Sequence, residues 1–377
     1  MWSLSKQFEL SRHGDSQNLR SMEGLRGFAV FLVFLVHYVS LIAPWISKDS
    51  QLEAISVAIH TIGNAGVDLF FVLSGYLIYG SVIGRRQAFL PFIRRRIARI
   101  YPAFCVVFGL YLLLSFANPA QSKIPAQALA AWTYVLQNFL LLPGLFPIEP
   151  MITVAWSLSY EMFYYLVIPL TVAFFRLRER STAWRVWFFL GATFSIAAYC
   201  AVYGGHVRLI MFIAGILLHE ALRDGSLRAP GSAVALAALV LGLLATTAPL
   251  MGPFALTVKM LILFCTFFIV CHACFSRPGA WLARGFSWTP LRWLGNMSYS
   301  YYLLHGLTLK VAFMVLLAKV PSVTHEVLFF IGILPVMFVM TLLPSAGLFL
   351  LVERPFSLAP APGRQPKAAA ASAVESR

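Results

Sequence analysis

The feature that most constrains this chain is a series of unbroken apolar runs of about 20 residues, the length that an α-helix needs to cross a bilayer. Of its 377 residues, 60% are hydrophobic and only 11% are charged, whereas a soluble domain is about one-quarter charged. This composition excludes an ordinary soluble protein and a disordered one. The runs also argue against a porin-type barrel, whose strands alternate polar and apolar residues. The sequence therefore predicts an all-α polytopic membrane protein.

Eleven apolar segments follow a polar stretch of about 20 residues, which lacks the apolar core of a signal peptide. The segments are residues 25–46, 62–83, 97–116, 128–146, 155–175, 185–203, 207–222, 231–250, 254–276, 294–318 and 326–352. One of them must not span if every basic loop is to lie in the cytoplasm. The weakest is 128–146, which is short and holds Gln137, Asn138, Pro143 and Gly144. We expect about ten transmembrane helices, cytoplasmic termini, and a re-entrant or interfacial segment at 128–146.

The net charge of +15 is high enough to raise the question of nucleic-acid binding. In the ten-span arrangement, 23 of the 29 Lys and Arg residues lie on the cytoplasmic side and four on the other. This bias accounts for the charge as membrane orientation, so we expect no nucleic-acid partner. The predicted organisation is a cytoplasmic tail at 1–24, a transmembrane domain at 25–355, and a disordered cytoplasmic tail at 356–377.

Ionisable groups inside a membrane are costly and therefore mark candidate sites. Arg26 and His37 are eleven residues apart in the first span. They share a helix face and are separated by about 16 Å along its axis. Arg26 is expected at the cytoplasmic rim and His37 near the middle of the membrane. A snorkelling arginine and a packed histidine are the structural alternative.

Further polar groups lie in the second, fourth and ninth predicted spans. Asp68 lies in the second span, where a structural ion pair and a functional role are both open. Ser157 and Glu161 share a face of the fourth span, because they are four residues apart. Tyr301 and His305 have the same spacing in the ninth span. A buried carboxylate beside hydroxyl groups favours a functional role for Glu161.

A basic run holds Arg94, Arg95, Arg96 and Arg99 at the start of the third span. Arg96 and Arg99 share a helix face. One interpretation is orientation and contact with anionic lipid. The other is a phosphate site, since arginine binds phosphate in a bidentate manner. Charge alone leaves both open.

The only metal-like pattern is Cys271 and Cys274 with His272 between them. These residues lie in a strongly apolar helix and have no second ligand pair, so we expect packing and no metal site. Near the end of the last span, Glu353 is expected to pair with a nearby arginine.

Five of these blocks, in this order, resemble the membrane-bound acyltransferase 3 family. That family contains bacterial O-acetyltransferases of surface polysaccharides, nodulation factors and macrolides. The resemblance covers residues 25–355, and Met162 departs from it, since members often have a second acidic residue there. The matching blocks are Arg26 to His37, Phe70 to Gly75, Arg96 with Arg99, Trp156 to Glu161, and Ser298 to His305.

The resemblance implies acyl transfer, usually of acetyl from acetyl-coenzyme A, to a hydroxyl group. Acyl-coenzyme A is then a donor substrate, and no permanently bound cofactor is expected. His37 would act as general base or as the carrier of an acyl-histidine intermediate. Glu161 would orient a histidine or the acceptor. Arg26 and the run from Arg94 to Arg99 would face the donor's phosphates, with Asp68, Ser157, Tyr301 and His305 as acceptor-binding or supporting residues.

The expected partners are acyl-coenzyme A, membrane lipids, and a sugar or glycan acceptor, free or lipid-linked, at a bacterial cytoplasmic (inner) membrane. The competing interpretation is a secondary transporter or flippase of a lipid-linked sugar. Such folds often have repeated halves with broken helices in corresponding positions, and this sequence has no such repeat. A structural scaffold is disfavoured by the ionisable groups at membrane depth.

Overall fold

The computed structural model of the chain describes residues 7–9, 17–84, 88–252 and 254–358, with the backbone alone at 17–19. Across these ranges the secondary structure is helical, apart from turns and one isolated bridge. Fourteen α-helices of six residues or more are present in this part of the chain. They are α1 (Gln17–Ile42), α2 (Gln51–Gly63), α3 (Ala65–Ile83), α4 (Phe89–Ala117), α5 (Ala128–Phe139), α6 (Trp156–Phe174), α7 (Thr182–Tyr203), α8 (Ile210–Asp224), α9 (Ser232–Ala245), α10 (Ala255–Ser276), α11 (Trp281–Phe286), α12 (Thr289–Asn296), α13 (Ser298–Lys319) and α14 (Glu326–Leu348).

Helix α14 continues directly into a π-helical segment, Phe349–Leu358. The predicted disordered tail lies outside the described residues from 359 onward, as do Arg85 and Arg86 of the loop before α4.

Eight helical stretches of the described chain are long and apolar enough to cross a membrane. They are Arg20–Trp45, Gln51–Ile83, Phe89–Ala117, Thr153–Phe174, Thr182–Tyr203, Ala255–Ser276, Ser298–Lys319 and Glu326–Leu358. Their number confirms the predicted all-α polytopic class.

The expected count of ten spans stays a prediction. The other two expected spans, 207–222 and 231–250, fall on α8 and α9, which have 15 and 14 residues. At 1.5 Å per residue these helices are about 21–23 Å long, shorter than the hydrocarbon core of about 30 Å. The cytoplasmic location of the termini also stays a prediction.

Segment 128–146 contains a single 12-residue helix, α5. Its length is about 18 Å, which is too short to cross a bilayer. The chain then turns through Leu141 and Gly144, whose φ angles are +56° and +98°. This conformation agrees with the prediction that the segment does not span.

Side-chain contacts bring several basic loops together at one end of the bundle, here called the basic end. The Arg178 guanidinium, in the loop between α6 and α7, donates to the Val82 carbonyl oxygen at 2.8 Å. At the start of α7, Arg185 forms a 2.7 Å ion pair with Glu220, near the end of α8. Tyr79 of α3 donates to the same carboxylate at 2.5 Å. The ends of α3, α6 and α8 and the start of α7 therefore meet here.

Helices α3 and α8 approach each other so closely that only glycine fits at two facing positions. A Cβ on Gly75 would lie 2.1 Å from the Phe212 carbonyl oxygen, and one on Gly215 would lie 2.0 Å from the Val72 carbonyl oxygen. Small residues permit such backbone contact between helices in a membrane. This contact positions α3, which lines the candidate site described below.

We expect Gly215→Ala to lower the thermal midpoint of the purified protein in detergent, because the added methyl group meets backbone atoms that cannot move aside. Overpacking of this kind costs about 1–3 kcal/mol. The matched control is Gly191→Ala in α7, where nothing lies within 4 Å of the added Cβ. Equal midpoints for the two variants would contradict the inferred close contact.

Candidate active site

A cavity of about 400 Å³ opens among α1, α3, α4, α6 and α13, and we call it the central cavity. Its volume lies in the range of ordinary ligand pockets. Its lining combines apolar side chains with three guanidinium groups, one carboxylate and several hydroxyl groups. The polar lining residues are Arg26, Ser74, Ser81, Arg96, Arg99, Ser157, Glu161, Tyr165, Ser298, Tyr299 and Tyr302.

The Arg26 guanidinium contacts the first residue of α13. It donates to Ser298 Oγ through both Nη2, at 2.9 Å, and Nε, at 3.2 Å. The two hydrogen bonds converge on one oxygen atom and hold this edge of the guanidinium against α13. Arg26 lines the central cavity. The sequence analysis expects it to face the phosphates of the donor.

Arg96 is held against the cavity wall by two aromatic rings. Its guanidinium carbon lies 5.1 Å from the Phe92 ring centroid and 5.2 Å from that of Tyr165. Its Nη2 atom donates to Ser81 Oγ at 3.2 Å. Such stacking holds the cation in place while leaving polar edges of the guanidinium for a ligand.

Arg99 is anchored by the carboxylate that the sequence analysis expected to pair with an arginine. Its Nη2 atom lies 3.0 Å from Oε1 of Glu353, a fully buried residue of the π-helical segment. The other carboxylate oxygen accepts from Ser300, at 3.1 Å from N and 2.6 Å from Oγ. The Arg99 Nη1 atom is buried and has no hydrogen-bond partner in the described part of the chain. A donor of this kind is available to a ligand.

Arg94 and Arg95 lie elsewhere on α4. Both are exposed, and neither lines the central cavity. Of the four arginines in the predicted donor-binding run, the structure brings Arg96 and Arg99 into the cavity and leaves these two outside it.

Glu161 supplies the carboxylate of the central cavity. Its Oε1 atom accepts from the Tyr165 hydroxyl at 2.5 Å and from Ser74 Oγ at 3.4 Å. Ser157, Glu161 and Tyr165 line the cavity together, as the four-residue spacing predicts. The adjacent Tyr164 does not line the cavity. Its hydroxyl donates instead to the Leu209 carbonyl oxygen at 2.8 Å.

His37 and His305 form a pair of imidazole rings. Their centroids lie 4.9 Å apart, with 68° between the ring planes. His305 is fully buried, and its Nδ1 atom lies 2.9 Å and 3.0 Å from the carbonyl oxygens of Tyr301 and Tyr302. Carbonyl oxygens only accept, so the hydrogen is assigned to Nδ1. The His305 Nε2 atom is buried without a partner in the described chain and carries the lone pair.

Tyr301 supports this pair from outside the cavity. Its ring stacks on that of His305, with centroids 5.2 Å apart and 10° between the planes. Its hydroxyl lies 2.7 Å from Thr341 Oγ1 of α14. Tyr301 therefore fixes the orientation of His305 and does not line the cavity.

Tyr302 lies between the central cavity and the histidine pair. It lines the cavity, whereas neither His37 nor His305 does. Its ring centroid is 6.1 Å from that of His305. Its hydroxyl lies 2.8 Å from Ser157 Oγ and donates to the Val154 carbonyl oxygen at 3.1 Å. The Tyr302 ring is thus a partition, held in place by its hydroxyl.

Asp68 occupies a different position, facing the segment before α8. It is fully buried, and its Oδ2 atom forms a 2.9 Å ion pair with Arg208. The Arg208 guanidinium also lies 5.9 Å from the Trp156 ring centroid. Asp68 does not line the central cavity. The structure therefore gives it the ion pair that the sequence had left as one of two alternatives.

Across the described ranges, no group of three His, Cys, Asp or Glu side chains is placed to hold a metal ion. Cys271, His272 and Cys274 are all buried in α10.

Sequence reasoning did not single out Tyr302, Ser74 or Ser81. Helical spacing contains a signal for each of them. Ser74 and Ser81 are seven residues apart, or two turns of α3, and Tyr302 is four residues after Ser298. Tyr301 is three residues after Ser298, and this spacing also places the two residues on one face of α13. Periodicity alone therefore does not decide which of the two tyrosines lines the cavity.

Comparison with known proteins gives a family match over most of the chain. Residues 19–343 match the family model described as an acyltransferase domain. The chain is 27% identical over 293 residues to Acyltransferase MdmB of Streptomyces mycarofaciens, covering 70% of this chain and 72% of that protein. It is 28% identical over 277 residues to O-acetyltransferase OatA of Staphylococcus aureus, covering 64% of this chain and 45% of that protein. It thus spans less than half the length of the second relative. No solved structure matches the chain.

We expect Tyr302→Ala to open a path from the central cavity to His305. The test uses His305→Cys as a reporter, with the five native cysteines replaced, and measures its rate of modification by a methanethiosulfonate reagent. Because a packed interior has few voids, removing the ring should raise this rate about tenfold or more over Tyr302→Phe. Tyr301→Ala is the control, since Tyr301 also contacts His305 but does not line the cavity. Equal rates in all three backgrounds would contradict the partition.

Proposed function

This chain belongs to the acyltransferase domain family. We propose that it is an integral-membrane O-acyltransferase that uses acyl-coenzyme A. The group transferred is most simply acetyl, and the acceptor is a hydroxyl group of a sugar or glycan. The observation that carries the proposal is the central cavity, which three arginines, Glu161 and Tyr302 line. The histidine pair lies outside this cavity, with His305 next to Tyr302.

The three guanidinium groups support an anionic donor. Arg26, Arg96 and Arg99 come from two helices and converge on one cavity of about 400 Å³. Coenzyme A carries several phosphate groups, and arginine is the side chain best suited to bind phosphate. The unpartnered Nη1 atom of Arg99 offers a hydrogen bond at this place.

The position of the histidines sets the path that the acyl group must follow. His37 is about 16 Å from Arg26 along α1, from the helical rise. A long pantetheine arm can extend over this distance while the phosphates stay with the arginines. Tyr302 lines the cavity and lies next to His305, so we propose that its ring moves aside when the thioester passes toward the histidines.

In the proposed reaction, His37 accepts the proton of the acceptor hydroxyl. The oxygen attacks the thioester carbonyl carbon, a carbon–oxygen bond forms, and the carbon–sulfur bond breaks. The proton passes from His37 to the departing sulfur, which leaves as free coenzyme A. A two-step route through an acyl-histidine is the alternative. His305 positions His37, since its own ring is fixed by Tyr301 and by two carbonyl oxygens.

Glu161 is proposed to orient a substrate. The sequence interpretation allowed it to orient either a histidine or the acceptor. Its hydrogen bonds go to Tyr165 and Ser74 inside the central cavity, and the histidines do not line that cavity. These contacts favour the acceptor, or the amides of the pantetheine arm, as its partner.

The acceptor class rests on similarity. One relative is named an O-acetyltransferase, which supports transfer of acetyl to a hydroxyl group. The motif resemblance to glycan-modifying enzymes supports a sugar or glycan, free or lipid-linked, and a location in a bacterial inner membrane. Loops rich in arginine at the basic end would then face the cytoplasm, where acyl-coenzyme A is found.

We expect His37→Ala to abolish transfer while the protein stays folded in the membrane. Loss of a general base lowers rates about 10²- to 10⁴-fold. The measurements are release of free coenzyme A by isolated membranes given acetyl-coenzyme A, and mass spectrometry of cell-surface glycans from deleted and complemented cells. The exposed His325 provides the control, His325→Ala. A folded and fully active His37→Ala variant would overturn the mechanism, and coenzyme A release that needs no acceptor would contradict coupled transfer.

We expect Arg96→Gln with Arg99→Lys to raise the KM for acyl-coenzyme A with little change in kcat. Lysine keeps a positive charge beside the buried Glu353 but removes the guanidinium. Hydrogen bonds to charged groups are worth about 1.5–3 kcal/mol, so the KM should rise about 10- to 100-fold. Arg176→Gln with Arg180→Lys makes the same charge change at exposed positions. An unchanged donor KM in the first variant would remove the donor-binding role of these arginines.

A further inference from the structure

A second cavity at the basic end is lined by arginines that the proposed reaction does not use. It has a volume of about 790 Å³ and lies among α3, α8 and α10. We call it the basic cavity. It meets α3 at Tyr76, on a different face from Ser74 and Ser81 of the central cavity. Its charged or titratable lining residues are Arg223, Arg228, Arg277, His219 and His272, with Tyr76.

The ends of two helices bring the three arginines together. Arg223 lies in the last turn of α8, Arg228 in the loop that follows, and Arg277 directly after α10. All three side chains belong to exposed residues. No carboxylate lines the basic cavity, so its fixed charge is positive. A cavity with this charge attracts an anion.

A buried histidine is a second and independent sign of a ligand site. His272 is only 2% exposed and lines the basic cavity. Its ring stacks on Phe268, with centroids 5.8 Å apart, and within the described residues it makes no hydrogen bond. Its ring nitrogens are not among the enclosed side-chain atoms that lack a partner, so they are accessible from the basic cavity and available to hydrogen-bond a ligand there.

The nearest carboxylates do not neutralise the basic cavity. Both oxygens of Glu220 are occupied by Arg185, at 2.8 Å and 2.7 Å. Asp224 accepts from the Ser226 hydroxyl and lines a neighbouring groove instead.

That neighbouring groove adjoins the basic cavity and is mostly apolar, although Glu220 and Asp224 are also among its lining residues. It has a volume of about 490 Å³ and lies among α7, α8 and α10. Ala221 and Leu227 line both spaces, so the two lie side by side. From there the groove extends along the helices as far as Leu190 and Phe264, in helices predicted to span the membrane.

We propose that the basic cavity and the apolar groove together bind one anionic phospholipid. Its phosphate contacts the arginines and His272, and one acyl chain lies in the groove. Basic pockets between membrane helices at such a boundary suit anionic headgroups. A free phosphate or a nucleotide would use only the basic half, whereas a phospholipid uses both halves. This site is separate from the proposed transfer chemistry, so its test does not depend on activity.

The first experiment measures retained lipid on the purified full-length protein by native mass spectrometry, with phosphatidylglycerol and phosphatidylcholine as probes. We expect phosphatidylglycerol to be retained preferentially. Replacing Arg223, Arg228 and Arg277 with Gln should lower its retention about tenfold, since each lost contact is charge-assisted. The control triple replaces Arg176, Arg180 and Arg284, three exposed arginines outside the cavity, with Gln. Equal loss in both triples would mean general surface attraction and would overturn the site.

The second experiment tests the groove. Cys265 is exposed and lines it, so Cys265→Trp should exclude the acyl chain and lower phosphatidylglycerol retention. Cys105→Trp is the control, since Cys105 is exposed on α4 and does not line the groove. Full retention in Cys265→Trp, or displacement of the lipid by glycerol 3-phosphate, would show an anion site without a lipid chain and would overturn the proposal.

Arg277→Gln alone, at an exposed position after α10, should lower phosphatidylglycerol retention without lowering the thermal midpoint in lipid-free detergent. The triple variant should leave the KM for acyl-coenzyme A unchanged. A raised donor KM would assign the basic cavity to the donor, and lipid retention unchanged in both arginine variants would also overturn the inference.

Discussion

Every charge buried between these helices needs a partner, because an uncompensated charge in a medium of low dielectric constant costs several kcal/mol. Ion pairs meet this need, and several of them join different elements of the described chain. Among them are Arg99 with Glu353, Arg185 with Glu220, Arg208 with Asp68, and Arg292 with Glu23. These contacts fix the π-helical segment against α4, the start of α7 against α8, and the segment before α8 against α3. The pair between Arg292 and Glu23 fixes α12 against α1, so α1, α3 and α4 of the central cavity are positioned by ion pairs.

The carboxylates held in ion pairs differ from the one that lines the central cavity. Glu353, Glu220 and Asp68 are fully buried and each contacts a guanidinium. Glu161 is partly exposed, lines the central cavity and is held by the hydroxyl groups of Tyr165 and Ser74. Hydroxyl groups orient a carboxylate without neutralising it. The physical difference between a positioning contact and an ion pair is therefore what distinguishes Glu161 as the carboxylate of the central cavity.

Patterns within one helix were predictable from the sequence, and contacts between helices were not. The face that holds Ser157 and Glu161, and the shared face of Arg96 and Arg99, follow from helical spacing and both line the cavity. The rotation of α13 does not follow from spacing, since Tyr301 and Tyr302 both fit a polar stripe. It is set by packing, which directs one hydroxyl to Thr341 and the other to Ser157. The role of Asp68 was likewise not predictable, because its partner Arg208 is 140 residues away in the sequence.

Arginine-rich loops illustrate why charge alone leaves function open. Membrane orientation explains the number of arginines at the basic end, but it does not explain why two groups of three line separate cavities. The two cavities lie against different faces of α3, and α3 meets α8 through backbone contacts at Gly75 and Gly215. The helix that carries Ser74 and Ser81 is in this way a shared wall of both sites.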